Sequence, residues 1–416
     1  MVSSVKNLKG AIRQQVVSTI DYSKDISDEG IYEIIDNELV ARSKCLILSA
    51  SEKKRLRKEI FHSIRKLDIL QQLLDDPNVT EIMINGTENI FIEKKGIITR
   101  FESAFESEEK LEDVVQQIVA SCNRVVNESS PIVDARLENG ARVNIVLPPV
   151  SLCGPVITIR RFPDKPITMD KLIELGAISE ELRNYLSILI KSGYNIFISG
   201  GTGSGKTTFL NALSDYIPKT KRVITIEDNA ELQIQGVQNL VRLEARNANV
   251  EGCKEISIRD LIKSSLRMRP DWIIVGEVRG GETVDMLQAC NTGHMSMSTG
   301  HSNSAYDMLY RLETMSLMGM SELPLQAVRG QICAGIDVII HLGRYRDNSR
   351  KVMEICELEK ELDASGRIKL NPLFRFVEEG MIQNEEHEKK IKGNWRKMGE
   401  LKNIEKLLSA GYKLPD

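Results

Sequence analysis

Nine residues, GGTGSGKTT at 200–208, have the types and the spacing that wrap a phosphate chain: a glycine, four residues, then glycine, lysine and threonine. Gly200, Gly201, Gly203 and Gly205 let main-chain N–H groups approach phosphate oxygens that any Cβ would hold away, with Thr202 and Ser204 between them and Thr208 closing the loop. Lys206 carries the charge for the β- and γ-phosphate oxygens, and Thr207 offers a hydroxyl to Mg²⁺. The chemistry this predicts is binding of ATP together with Mg²⁺. The loop follows the apolar run Tyr194–Ser199 and opens the helical stretch TTFLNALSDYI, so the positive end of a helix points at the same phosphates.

Further segments supply groups that could act on a bound triphosphate. In RVITIEDNAEL an apolar strand ends in Glu227 and Asp228, where a strand's carboxyl end falls beside the loop. These acids could hold the Mg²⁺ water shell, Glu227 through a water, or orient the attacking water; strand-end acids also often cap a helix. In RPDWIIVGEVRGGET the aspartate expected after the apolar run is replaced by Gly276. Glu277 then remains as the general base, able to take a proton from water aimed at the γ-phosphate. Arg279 is either a charge stabiliser or a salt-bridge partner of Glu282. In TGHMSMSTGHSN, His301 follows a strand and could sense the γ-phosphate, whereas His294 could do so or simply pack. No cysteine or carboxylate completes a zinc set around this pair.

The elements that must position these groups read as an α/β chain. At 416 residues, two or three domains are expected. Residues 1–66 show helical spacing, as in Ile31, Ile34, Ile35 and Leu39, and the basic stretch SEKKRLRKEIFHSIRKL reads as a solvated helix face or a contact for acidic lipid or a partner. Residues 67–163 break into short β-branched runs with glycine turns and one helix near 108–124, an α+β pattern. FPDKPITMD marks a hinge at 164–170. Over 171–375, helical patterns alternate with YNIFIS, RVITIE, WIIVGE, MSMST and DVIIHL, which predicts a mostly parallel sheet covered on both faces. The charged tail, 376–416, reads as a helix or two. Net charge is -3, which gives no global drive toward nucleic acid, and the seven scattered cysteines suit a reducing cytosol. No apolar run of signal-peptide or membrane-spanning length occurs, so the expectation is a cytoplasmic protein that reaches the inner face of a membrane through partners.

Taken in this order, the motifs resemble the secretion-ATPase superfamily that drives type II secretion, type IV pili, type IV secretion and Tad pili, and look most similar to its CpaF/TadA-type branch, which powers Tad (Flp) pilus assembly. The likeness runs from about 67 to 375 and is carried by VTEIMING at 79–86, DARLENGARVN at 134–144, IRRF at 159–162, GGTGSGKTT, IEDNAEL, LRMRPDWIIVGEVRG and the MSTGH segment. The resemblance implies a RecA-like P-loop ATPase domain preceded by a smaller α+β, PAS-like domain and a helical segment. It also implies a homo-hexamer working on integral-membrane pilus platform proteins, with nucleotide between two domains. Arg142, Arg160 and Arg161 match positions from which such families bring arginine to the phosphates, although Arg160 and Arg161 lie on alternate sides of a strand. MetSerMet follows His294 where an Asp-Gly pair usually stands, and the tetracysteine zinc module of the type II secretion and pilus-extension branch is missing. The rival readings are a VirB-type conjugation or effector-secretion ATPase, a nucleotide-dependent scaffold, and a DNA translocase, which DNA stimulation would reveal.

Overall fold

A computed structural model of the chain describes residues 2–20, 26–42, 49–94, 96–122, 124–137, 139–161, 166–246, 254–383 and 389–414. It divides into two compact units, Met1–Pro163 and Asp164–Asp416. Residues 162–165, where the expected hinge begins, lie outside the described residues.

In the first unit, helices Val2–Thr19, Asp28–Arg42 and Ala50–Arg65 bury one apolar stripe each. Ile12, Val16, Ile31, Ile35, Leu39, Leu56, Ile60 and Phe61 meet in a common core, as the three- and four-residue spacing demands. A capping box between Ser49 and Glu52 starts the third helix, and Lys53, Lys54, Arg55 and Lys58 stay exposed on its outer face.

The strands that follow are β1 (Val79–Asn85), β2 (Asn89–Lys94), β3 (Ile97–Arg100), β4 (Ile132–Arg136), β5 (Arg142–Val146) and β6 (Val156–Arg160). They form an antiparallel sheet in the order β3-β2-β1-β6-β5-β4. Ile82, Ile84, Val143, Ile145, Ile157 and Ile159 alternate onto one face and pack against helix Glu108–Ser121 through Leu111, Val114, Val115 and Ile118.

The second unit holds β7 (Ile196–Gly200), β8 (Arg222–Glu227), β9 (Asn239–Glu244), β10 (Trp272–Val275), β11 (Met295–His301), β12 (Val338–Arg344), β13 (Arg350–Leu358), β14 (Leu370–Gln383) and β15 (Lys389–Lys397). Their order is β15-β14-β13-β12-β7-β11-β10-β8-β9. From β12 to β9 every pairing is parallel, and the remaining strands fold back antiparallel. β7 and β10 are buried at every residue, because helices cover both faces and build two apolar cores. β7, β8, β10 and β11 all end at one edge, which is where the chemistry-bearing segments come together.

Two elements differ from the sequence expectation. β9 lies in LVRLE, a segment whose charges mask its apolar alternation. The tail expected as a helix or two is instead the β14–β15 hairpin, with helix, among the described residues, only at Glu405–Ala410. Along β15 the exposed Lys390, Lys392, Arg396 and Lys397 flank Ile391 and Trp395, which face inward, and Trp395 Nε1 donates to the Val352 carbonyl at 2.7 Å. A charged edge strand of this kind deters further strand pairing, and its lysines resemble those of a solvated helix in sequence.

Candidate active site

The phosphate loop is forced by close packing. A Cβ on Gly200 would sit 2.4 Å from the Leu342 carbonyl oxygen and 2.6 Å from Ser204 Oγ, so the end of β7 admits only glycine. Gly203 and Gly205 turn the chain at φ 71° and 91°, and helix Lys206–Ser214 begins there. Ser204 Oγ donates to the Gly201 carbonyl at 2.9 Å, tightening the turn, while residues 201–203 form an exposed tip. Lys206 is buried beneath this tip, and its Nζ donates to the carbonyls of Gly200 at 3.1 Å and Gly201 at 3.0 Å. Thr207 and Thr208 are half-buried in the first turn of the helix.

His301 ends β11 directly opposite Gly200. Its Nδ1 lies 3.3 Å from Lys206 Nζ and its Nε2 lies 3.2 Å from Glu277 Oε1. An ammonium can only donate, so Nδ1 accepts from Lys206 and the proton of the neutral ring sits on Nε2, facing the carboxylate. Burial and then the neighbouring Lys206 charge hold the imidazole below its ordinary pKa, which keeps it neutral. Lys206, His301 and Glu277 thus stand in a row of close contacts from cation to anion.

Glu277 follows β10 and is half-buried. Arg279 reaches its two oxygens, with Nη2 at 3.2 Å from Oε2 and Nε at 3.2 Å from Oε1. Oε1 has two nitrogens at that distance, yet neither is aligned for a hydrogen bond, and this oxygen is buried. Arg279 also stands 3.8 Å from Asp228, between two half-exposed side chains where the attraction is weak. The expected Arg279–Glu282 side-chain pair does not form. Glu282, the first residue of helix Glu282–Asn291, instead accepts from the backbone N–H groups of Arg279 at 2.5 Å and Gly280 at 2.8 Å, in the loop that leads into the helix.

Glu227 ends β8 and is 3% exposed. Its Oε1 accepts from the N–H groups of Glu231 at 2.8 Å and Leu232 at 2.9 Å, while Oε2 is buried without a partner. Burial pushes its pKa to about 7 against the pull of those two N–H groups. A Cβ at Gly276 would lie 3.0 Å from Glu227 Cγ, so the glycine in place of an aspartate makes room for this side chain. An orphaned carboxyl oxygen at the same strand-end edge as the phosphate loop suits a hydrated Mg²⁺ with a phosphate chain.

Three further residues complete the reading of the chain. His294 stands at the opposite end of β11 from His301, roughly 23 Å away for seven extended residues. It packs with Nδ1 at 3.1 Å from Thr292 Oγ1 and 3.3 Å from the Ala289 carbonyl, lining a cavity of about 750 Å³ with Trp272 and Asp337, away from the phosphate loop. His341, buried beneath the loop, bonds Ser199 Oγ through Nδ1 at 2.9 Å. Arg350 Nε donates to the Gly203 carbonyl at 2.9 Å. Neither His341 nor Arg350 carries a sequence signal, since each meets its partner across more than a hundred residues.

Within the first unit, Arg136, Arg142 and Arg160 stand side by side on neighbouring strands, with Glu81 next in the row. Cross-strand partners share a face, so these arginines line the face opposite the apolar core. Arg161 lies on the other side, and its guanidinium donates to the carbonyls of Asp76 and Val79.

Comparison with known proteins places these features in context. Residues 64–411 match the family described as type II/IV secretion system protein. A putative conjugal transfer protein of Mycobacterium tuberculosis is 33% identical over 309 residues, 72% of this chain and 86% of that protein. A probable conjugal transfer protein TrbB of Sinorhizobium fredii is 34% identical over 328 residues, covering 76% and 96%. The fold is similar to the crystal structure of the pilus retraction motor PilT with bound ADP, at TM-score 0.52 and 19% identity, over 83% of this chain and 86% of that one.

Proposed function

Because the chain belongs to the type II/IV secretion system protein family, we propose that it hydrolyses Mg-ATP and serves as a motor subunit for transport or pilus assembly at a membrane. The observation that supports this most is the Lys206–His301–Glu277 row at 3.3 and 3.2 Å, with Glu227 on an adjacent strand end. Gly200 to Thr208 cradle the triphosphate and Lys206 leaves its loop carbonyls for the phosphate oxygens. Thr207 would hold Mg²⁺ directly and Glu227 through water, and the ion would supply positive charge against the triphosphate. Glu277 takes the proton of the attacking water, and His301 reports to it whether Lys206 is engaged. Arg279 and Asp228 set the charge around Glu277, and in the first unit Arg142 and Arg160 share one sheet face as candidates for an anion, whereas Arg161 is spent on backbone carbonyls. Nucleotide titration tests this: K206A should lose ATP and ADP binding, and an unaltered affinity would contradict it.

For the machine that is served, we infer Tad-type pilus assembly from the motif likeness, with the chain as a homo-hexamer acting on integral-membrane platform proteins from the cytoplasmic side, without zinc or a nucleic-acid substrate. A conjugation or effector-secretion role is the second reading, favoured by relatives named as conjugal transfer proteins. Deleting the gene distinguishes them: loss of surface pili with DNA transfer intact supports the first, and the reverse supports the second.

A further inference from the structure

The turn between β12 and β13 carries a group that no motif announces. Arg350, the first residue of β13, bonds the Gly203 carbonyl through Nε at 2.9 Å, across 147 residues of sequence. Its Cδ lies 3.4 Å from the place a Cβ on Gly205 would take. The reach is set by the fold. β12 lies beside β7 with Leu342 opposite Gly200, and β13 returns antiparallel with Arg350 opposite Arg344.

The turn itself is held from several sides. Tyr345 N–H donates to the Ser349 carbonyl at 2.8 Å, and Asn348 adopts φ 64° to close it. Asp347 Oδ1 accepts from Ser349 N–H at 3.0 Å and Ser349 Oγ at 2.6 Å, while its Oδ2 accepts from Ile391 N–H of β15 at 2.8 Å. The last hairpin of the sheet therefore fixes the turn, and the turn fixes Arg350 against the phosphate loop.

We propose that Arg350 is a nucleotide-positioning residue that braces the phosphate loop through Gly203 and lends its remaining N–H groups to the phosphates of ADP and ATP. The inference rests on the nucleotide reading above and adds to it a cation supplied by the same chain. A glycine-rich tip is costly to order, because glycine has the most backbone freedom to lose. A brace that holds the tip before the ligand arrives removes part of that cost. The guanidinium suits both tasks at once: Nε is spent on the carbonyl, and the two Nη groups keep four N–H donors and the charge. Because the brace grips the loop, diphosphate and triphosphate benefit alike.

The test is nucleotide titration of the full chain, wild type and variants, with ADP and with a nonhydrolysable ATP analogue. R350A is expected to weaken both about tenfold, the loss that one charge-assisted contact brings. In turnover it should raise KM for ATP by a similar factor, leave kcat within about twofold, and leave the melting midpoint of the nucleotide-free protein unchanged. R350K, which keeps the charge but loses the planar fork of donors, should recover part of the affinity. R346A removes the same charge from the same turn, where the side chain is paired with Glu378 at 3.0 Å. It should stay within about twofold of wild type if contact, and not the general field, is what counts.

An R350A affinity within about twofold of wild type, in a series where K206A abolishes binding, overturns the role of Arg350 and leaves the nucleotide reading standing. So does an equal loss in R346A, or a lowered melting midpoint in R350A that R350K does not restore. A wild-type protein that binds no nucleotide removes the reading beneath it as well.

Discussion

Glu277 stands between a neutral imidazole on one side and an arginine on the other, with a buried oxygen that neither of them satisfies. Glu227 is the complementary case, a carboxyl whose environment favours the proton. Its pKa moves from 4.5 to about 7 by burial, so the folded protein keeps a proton that the unfolded chain releases in that window. Stability contributed by this group is present at low pH and is lost as pH rises from about 4.5 through about 7, by on the order of 3 kcal/mol at full ionisation. E227Q, measured by denaturant unfolding without Mg²⁺, should match wild type near pH 5 and exceed it by roughly 1–3 kcal/mol near pH 8. A wild-type advantage at pH 8 would contradict the buried, unpartnered state of this side chain. At this scale the phosphate loop, Glu227 and Glu277 were legible because each signal is local, a spacing or the residue after an apolar strand. The fate of Arg279 was not, since a glutamate three residues on can serve a side chain or a backbone equally well, and the loop backbone won.

The segment after Glu277 is positioned by helix Ala305–Gly319. A Cβ on Gly319 would lie 2.3 Å from the Gly281 carbonyl oxygen, and one on Gly281 would lie 2.8 Å from Gly319 Cα. The two backbones touch where Arg259 Nη2 also donates to the Gly319 carbonyl at 3.3 Å. G319A is expected to cost about 1–3 kcal/mol, as overpacking does, and to slow turnover by displacing the loop that carries Glu277 and Arg279. An unchanged urea midpoint would argue against a tight contact. Five parallel strands were readable as apolar runs between helices, whereas the last hairpin was not. On β15 the inward set is small, the buried Ile391 and the half-buried Trp395, and lysines surround it, so a two-residue period and a solvated helix look alike. That hairpin matters to the site because Ile391 holds the Asp347 turn beside Arg350.

For the whole molecule, the sequence anticipated a parallel sheet because buried strands alternate with helices, and the second unit has that sheet. The row of Arg136, Arg142 and Arg160 in the first unit was only partly anticipated, since cross-strand register is invisible to local spacing. The proposed ring predicts a change of mass with ligand: light scattering with a nonhydrolysable ATP analogue and Mg²⁺ is expected to give an assembly several times the 46.8 kDa chain. A monomer with and without the analogue would count against the ring. The most direct test of the account is Mg²⁺-dependent phosphate release from ATP by wild type and E277Q, with nucleotide binding measured on both. Wild type should turn over and E277Q should bind ATP equally well yet release phosphate at least about a hundredfold more slowly, the scale of a lost general base. Equal rates in the two proteins, or no ATP consumption by an assembled wild type, would contradict it.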